Sequence, residues 1–304
     1  MSGLTPTQLA TFHEKGYLVV EDYLTPQEVN SLLTETHHLL DTFDLDTHPL
    51  TQFTTGDDSS DNKPHVGDDY FLTSGDKLRF FFEPDAITQD GKLTRPKQEA
   101  VNKIGHSLHT LSPPFKAVSL NARTASIARS LRFRDPRLLQ SMVICKQPRI
   151  GGAVPPHRDS EFLYTDPPSA VGFWFALQDA GPGNATLVMM PGTQGEGIQR
   201  RFVRVFKEGT KETVGTGFVG NEGAGVPRGE VEAKGEGKAE EVLNVKAGSL
   251  VLIHGNVSHK SDRNESERSR FAYTFHVIEG AEGWDYDERN WLQPSEGGFS
   301  RVYQ

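Results

Sequence analysis

The sequence predicts an α+β fold in which N-terminal helices cover one sheet of an antiparallel jelly roll. Three observations carry this reading. The first 135 residues hold helix-start signals and helical periodicity, whereas after residue 138 the apolar residues fall into short β-type runs separated by Gly, Pro and Asp. No internal repeat points to a solenoid or propeller. At 304 residues a large sandwich still forms one unit. Residues 1–304 are therefore read as one domain, with 1–135 a helix-rich support region and 136–304 the jelly-roll core.

Thr5-Pro6-Thr7-Gln8 and Thr25-Pro26-Gln27-Glu28 both read as capping boxes with proline at the first helical position. In the second helix Val29, Leu32, Leu33, Leu40 and Phe43 share one face, and Gly16 is placed as the C-terminal cap of the first. The polar stretch 52–69 reads as an exposed connection. Leu78–Phe82 is expected as a strand lent by the N-terminal half. A third helix is expected over Pro96–Leu111, with Val101, Ile104, Leu108 and Leu111 inward, and a fourth over Ala122–Leu131. Strands follow at Leu139–Lys146, Gly172–Gln178, Leu187–Met190, Phe202–Phe206, Leu250–His254 and Phe271–Val277. Lys207–Glu241, rich in Gly, Lys and Glu, reads as a flexible surface insertion in preference to a substrate lid.

Composition narrows the function. The chain carries 32 basic against 41 acidic residues, a net charge of −9, and so lacks the basic surplus that a nucleic-acid backbone demands. No run approaches the 18 or so apolar residues of a membrane span. The N-terminus MSGLTPTQLATFHEKG shows neither a secretory nor a myristoylation signal, so the cytoplasm is the expected compartment and a small molecule the expected partner. Cys145 is the sole cysteine and sits in the apolar run SMVIC, which marks a buried, inert thiol.

Of eleven histidines, His13, His37, His38, His48, His65, His106 and His109 read as surface or packing residues. His157 differs. It stands in Pro155-Pro156-His157-Arg158-Asp159, where positions two apart on extended backbone point the same way, so imidazole and carboxylate can converge on one ion. By itself this triplet is a weak signal whose plain alternative is a His/Asp hydrogen bond. The second half of the pattern is a strand that ends by delivering a histidine, Leu250 to Ser261 (LVLIHGNVSHKS), followed by Arg270 eleven residues beyond His259. Two imidazoles and a carboxylate on one face of an octahedral ion form the triad of non-haem Fe(II) oxygenases. An arginine suits the distal carboxylate of a 2-oxo diacid. His254 and His276 compete with His259, but His254 closes the apolar run LVLI, where a packed strand-end histidine fits. Arg263 and Arg268 compete with Arg270 from a polar stretch.

The segments KQPRIGG (146–152), PHRDSEFLYTDP (156–167), LVLIHGNVSHKS (250–261), RSRFAYTFH (268–276) and NWLQP (290–294) together resemble the phytanoyl-CoA dioxygenase family of Fe(II)- and 2-oxoglutarate-dependent oxygenases. The likeness runs over nearly the whole chain. It implies a double-stranded β-helix of the cupin-like kind, with Fe(2+), 2-oxoglutarate and O2 as cofactors. It also implies His157, Asp159 and His259 as iron ligands and Arg270 as the holder of 2-oxoglutarate, with Lys103, Met142 and Trp174 as further cosubstrate neighbours. On composition alone Trp174, between two phenylalanines, would be core. The family's Pro-Gly-Ser-His turn is Pro191-Gly192-Thr193-Gln194 here, a change expected at the pocket rim. Asp159 stands where halogenases of this fold carry a small residue, which favours hydroxylation. The resemblance thus implies hydroxylation of a C–H bond in a small organic or acyl substrate, with succinate and CO2 released. The competing classes are a zinc hydrolase, a metal-binding jelly roll without oxygenase activity, and an interaction module; neither a hydrolase nor a scaffold needs Arg270.

Overall fold

Local capping decides the first elements. In the computed structural model, which describes residues 3–53, 68–221 and 239–303, helix α1 (Pro6–Lys15) starts on the Thr5/Gln8 capping box and stops at Gly16, whose φ of 79° is the left-handed cap. Strand β1 (Tyr17–Val20) follows directly. Helix α2 (Pro26–Thr42) starts on the Thr25/Glu28 box and buries Leu32 and Leu40. The 52–69 connection lies mostly outside the described residues. After it come the single turn α3 (Asp69–Leu72), strand β2 (Leu78–Phe82) and the single turn α4 (Lys97–Ala100).

The helix expected over Pro96–Leu111 does not form. Val101–His106 is strand β3, buried along its whole length between β2 and β4 (Pro136–Ile144). A central strand covered on both faces loses its two-residue alternation, so its apolar spacing is indistinguishable from a short helical pattern. Leu111, expected inward, is 52% exposed at the end of the turn α5 (Leu108–Leu111). Helices α6 (Pro113–Ser119) and α7 (Ala122–Ser130) follow.

The rest is strand: β5 (Val154–His157), β6 (Thr165–Asp166), β7 (Val171–Ala176), β8 (Leu187–Met190), β9 (Arg200–Phe206), β10 (Thr213–Gly220), β11 (Glu241–Val242), β12 (Leu250–His254), β13 (Ser258–Ser261), β14 (Ala272–Glu279), β15 (Asp285–Tyr286) and β16 (Ser300–Arg301). The large sheet runs β1-β12-β7-β14-β4-β3-β2 with β16 on β4, and the small sheet runs β11-β8-β13-β5. These are the two sheets of a jelly roll, in a mixed helix-and-sheet chain. Within 207–241, expected as a flexible insertion, β10 pairs with β9. Its Thr213, Val214, Thr216, Phe218 and Val219 supply the β-branched and aromatic content that the charged flanks mask. Residues 222–238 lie outside the described residues.

Alternation along the central strands divides the core. Phe173, Phe175, Tyr273 and Phe275 join Phe12, Leu32, Leu40, Phe115 and Ile127 from the helices in one cluster. The intervening positions Trp174, Ala176, Ala272, Val251 and Ile253 turn to the other face, where they meet Leu187 and Met189 of the small sheet. The second face, between the sheets, carries the site. Among the described residues no helix is long and apolar enough to cross a membrane.

Candidate functional site

Strand pairing alone brings the two candidate histidine ligands together. His157 ends β5, His259 stands in β13, and the two are register partners with ring centroids 4.3 Å apart. Asp159 opens the short 3-10 turn after β5, and its Oδ1 lies 3.7 Å from His157 Nε2 and 3.8 Å from His259 Nε2. One ligand atom from each of the three lies within 4.8 Å of the others. The β12–β13 turn is held against this 3-10 turn by Gly255, where a Cβ would collide with the Ser160 hydroxyl and the Ala170 carbonyl.

The protonation pattern suits a cation. His157 Nδ1 donates to Pro155 O at 2.9 Å and His259 Nδ1 to Val257 O at 3.2 Å. Carbonyls only accept, so both Nδ1 atoms carry the hydrogen, and both Nε2 atoms are left turned toward Asp159. Burial, reinforced by the neighbouring His259, pushes His157 down to about 4, so it stays neutral near pH 7. For Asp159 burial works the other way, yet His276 and His259 outweigh it and hold the carboxyl well below its usual range. His276 is the neighbour that sequence reasoning set aside. Its Nε2 lies 3.2 Å from Asp159 Oδ2, so one carboxylate oxygen is engaged and the other faces the histidines. Gly172 leaves room for this contact: a Cβ there would stand 3.1 Å from Asp159 Oδ2 and 3.5 Å from His276 Nε2.

The triad opens into a cavity of about 190 Å³ that Lys103, Met142, Trp174 and Arg270 also line. Lys103 Nζ sits 3.9 Å from Met142 Sδ and 3.1 Å from the Phe53 ring centroid; burial pushes it down to about 7, with Glu83 opposing. Arg270 is 1% exposed. Its Nε and Nη2 donate to Ala185 O at 3.1 and 2.8 Å, Trp174 lies under the guanidinium at 5.5 Å, and Nη1 is buried without a hydrogen-bond partner among the described residues. The side chain is thus fixed on one side and unsatisfied on the other. Burial lowers it to about 9, still a cation at neutral pH.

The rejected candidates lie elsewhere. His254 Nδ1 accepts from Asn256 N at 3.0 Å and its ring packs on Phe12, a strand-end histidine under a turn. Arg263 pairs with Asp85 at 2.6 Å, and Arg263 and Arg268 are exposed. Gln194, expected at the pocket rim, donates instead to His13 O and Glu14 O at 2.8 and 3.1 Å, because the turn that holds it abuts the end of α1 and not the cavity. Cys145 is buried, and burial raises its thiol. His106, read as a surface or packing residue, lines the cavity, as do Gln140, Ser261 and Thr274. Ser261 was findable, two residues past His259 on the same strand face. Thr274 lies within the segment RSRFAYTFH but carries no ligand signal there, and Gln140 and His106 stand outside the quoted segments.

The profile of the phytanoyl-CoA dioxygenase family matches residues 12–272. The chain is 41% identical over 297 residues to phytanoyl-CoA dioxygenase domain-containing protein 1 of Danio rerio, covering 97% of both chains. It is 39% identical over 290 residues to a phytanoyl-CoA dioxygenase of Arabidopsis thaliana, covering 95% of this chain and 94% of that one. The chain belongs to the phytanoyl-CoA dioxygenase family. Membership makes it an oxidoreductase of the dioxygenase type, and iron with 2-oxoglutarate is the cofactor set that the sequence resemblance implies for it. Its fold resembles that of EctD from S. alaskensis, solved with 2-oxoglutarate and 5-hydroxyectoine, at a TM-score of 0.56 and 20% identity over 91% of this chain and 77% of that one. It also resembles the non-heme alpha ketoglutarate dependent carbocyclase SnoK, at a TM-score of 0.59 and 13% identity over 96% and 94%.

Proposed function

We propose that this family member is an Fe(II)- and 2-oxoglutarate-dependent dioxygenase that hydroxylates a C–H bond of a small organic or acyl substrate and releases succinate and CO2. The jelly roll is then a double-stranded β-helix within one catalytic domain, buttressed on one sheet by the N-terminal helices. His157, Asp159 and His259 are the iron ligands, and the donor set fits: two imidazoles whose Nδ1 atoms are committed to backbone carbonyls and an ionised carboxylate make a site of the 2-His-1-carboxylate type. With iron and 2-oxoglutarate bound, the chemistry supplied is oxidative decarboxylation of the oxo acid by O2, coupled to insertion of one oxygen into the substrate.

The chain's own residues position and shield. Lys103 and Arg270 set two basic groups at one end of the cavity, where Lys103 pairs in register with Ile144 and Ile144 with Ala272, two residues after Arg270. Trp174 and Met142, which both pair with Thr274, line the cavity in the row between those basic groups and His276, the residue that contacts Asp159. Because Nε and Nη2 of Arg270 already hold Ala185 O, a carboxylate is met by Nη1 and the remaining Nη2 hydrogen. The observation that carries the reading is this unpartnered, buried guanidinium edge in the same cavity as the triad. A binding or scaffold role has no use for it, and its desolvation cost is left uncompensated without an anion. The test is anaerobic addition of 2-oxoglutarate to the Fe(II) protein. A visible charge-transfer band is expected, and its absence at saturating cosubstrate refutes the reading.

A further inference from the structure

The strand register gives the cavity a direction. Along β4 and β14, Ile144 opposes Ala272, then Met142 opposes Thr274, then Gln140 opposes His276. β3 follows the same order, with Lys103 beside Ile144 and His106 beside Ser141. Lys103 and Arg270 stand at the first end, and Gln140 and His276 at the other, about 7 Å further along the strands than the Met142 row. The Gln140 end is therefore the one that a cosubstrate held by Arg270 leaves free.

Gln140 has no structural employment there. It is 5% exposed, it lines the cavity, and among the described residues its carboxamide makes no hydrogen bond, with Oε1 buried and unpartnered. Beside it His276 engages Asp159 through Nε2, while its Nδ1 is likewise buried without a partner among the described residues. Burying unpaired polar groups at the middle of a strand costs stability unless a ligand satisfies them. The surroundings set the ligand's character. His106 packs on Trp291, which stacks on Phe71 at 4.4 Å, and this wall is apolar and aromatic. The lysines and arginine among the described lining residues are Lys103 and Arg270 at the opposite end, and Lys260, which pairs with Glu240 at 2.7 Å.

We infer that Gln140, with His276 beside it, is the specificity-determining anchor for the primary substrate. The group it takes is a neutral amide or hydroxyl on an otherwise apolar molecule, not an anion. This rests on the oxygenase reading for which end the cosubstrate fills. A carboxamide both donates and accepts, so it suits a group that does the same. A site built to hydrogen-bond a substrate group rejects the analogue lacking it, because its own polar atoms are then left unpaired.

The probes are benzamide, isopropylbenzene as the apolar analogue of similar shape, and benzoate as the anion. Equilibrium affinities are measured on the anaerobic Fe(II)–2-oxoglutarate protein and on the metal-free protein, with 2-oxoglutarate titrated separately. The wild type should prefer benzamide to isopropylbenzene by roughly tenfold and bind benzoate more weakly than benzamide. Gln140→Leu and Gln140→Met should each bring the amide preference to unity or invert it, with affinity for 2-oxoglutarate unchanged. Damaged folding lowers all affinities together and does not invert a ratio. A wild type without amide preference, a preference retained in both variants, or benzoate binding as well as benzamide would overturn the inference. If 2-oxoglutarate fails to bind at all, the oxygenase reading fails separately, and the probe ratio on the metal-free protein still decides the subsite.

Discussion

Removing the Arg270 guanidinium separates cosubstrate binding from both metal binding and folding. The side chain is fully buried, held on Ala185 O through Nε and Nη2, and unpartnered at Nη1. Truncating one partner of a buried, hydrogen-bonded charge pair costs about 2–5 kcal/mol, so Arg270→Ala should weaken 2-oxoglutarate binding by roughly thirty-fold to several thousand-fold. Arg270→Lys should recover only part, because one ammonium cannot both hold the Ala185 carbonyl and present a two-point donor to a carboxylate. In the absence of cosubstrate the sign reverses. An uncompensated buried cation is a liability, so Arg270→Met should keep or raise the melting temperature of the cosubstrate-free protein while abolishing tight 2-oxoglutarate binding. Iron content should stay near wild type, since the triad lies on other elements. Anaerobic titration of 2-oxoglutarate, with metal analysis and thermal melts on the same preparations, reads all three quantities. An unchanged dissociation constant in Arg270→Ala, or iron lost in parallel with cosubstrate, would refute the reasoning.

Other outcomes follow from the same geometry. His259→Ala should lose stoichiometric iron while His254→Ala keeps it, measured by metal analysis after reconstitution; the reverse result would reassign the third ligand. Gly172→Ala should weaken metal binding with little change in fold, because the new methyl presses on Asp159 Oδ2 at 3.1 Å, and Gly172→Val should do so more strongly; metal titration with circular dichroism as control distinguishes a displaced ligand from misfolding. Burial holds His106 at about 3 and His109 and His254 at about 4, against 6.5 for a free imidazole. The unfolded chain therefore takes up protons first, and stability present above pH 6.5 is lost as pH falls toward 4, by up to about 1.4 kcal/mol per pH unit for each histidine. Urea midpoints between pH 7 and 4.5 measure this, His109→Asn should flatten the slope, and a pH-independent midpoint would contradict the assignment.

The fold was legible wherever local chemistry and periodicity agreed. Both capping boxes open helices at the expected residues, and Gly16 terminates α1 in the left-handed conformation. Leu78–Phe82, Leu187–Met190 and Leu250–His254 form strands with the expected bounds. Legibility failed where tertiary burial overrode local pattern. β3 lies between two strands and is covered on both faces, so Val101 and Ile104 are inward for a reason that has nothing to do with helical spacing. β1 was missed because four residues between a helix cap and a turn are too few to show a period; what makes Tyr17–Val20 a strand is the edge of β12 waiting for it.

The site divides along the same line. The candidate ligands His157 and Asp159 stand two apart, and His259 and Arg270 lie in short segments of their own; each is a weak local signal, and the resemblance of those segments to the family is what singles them out. What the register alone brings to the cavity is weakly marked in the sequence: Gln140 carries no signal, and His276 stands only as an alternative metal ligand. Gln140 and His276 are more than a hundred residues apart, and each by itself reads as a polar interruption in an apolar strand; only the β4–β14 pairing sets them opposite one another. The difference has a physical basis. Metal ligands require particular atoms in a fixed geometry, which restricts both residue type and local backbone, whereas a substrate anchor needs one polar group at one depth of a cavity, and many strand positions can supply it. A sequence whose candidate metal ligands are marked locally can therefore leave a substrate anchor unmarked, and in this chain the unsatisfied carboxamide of Gln140 is the group proposed for that role.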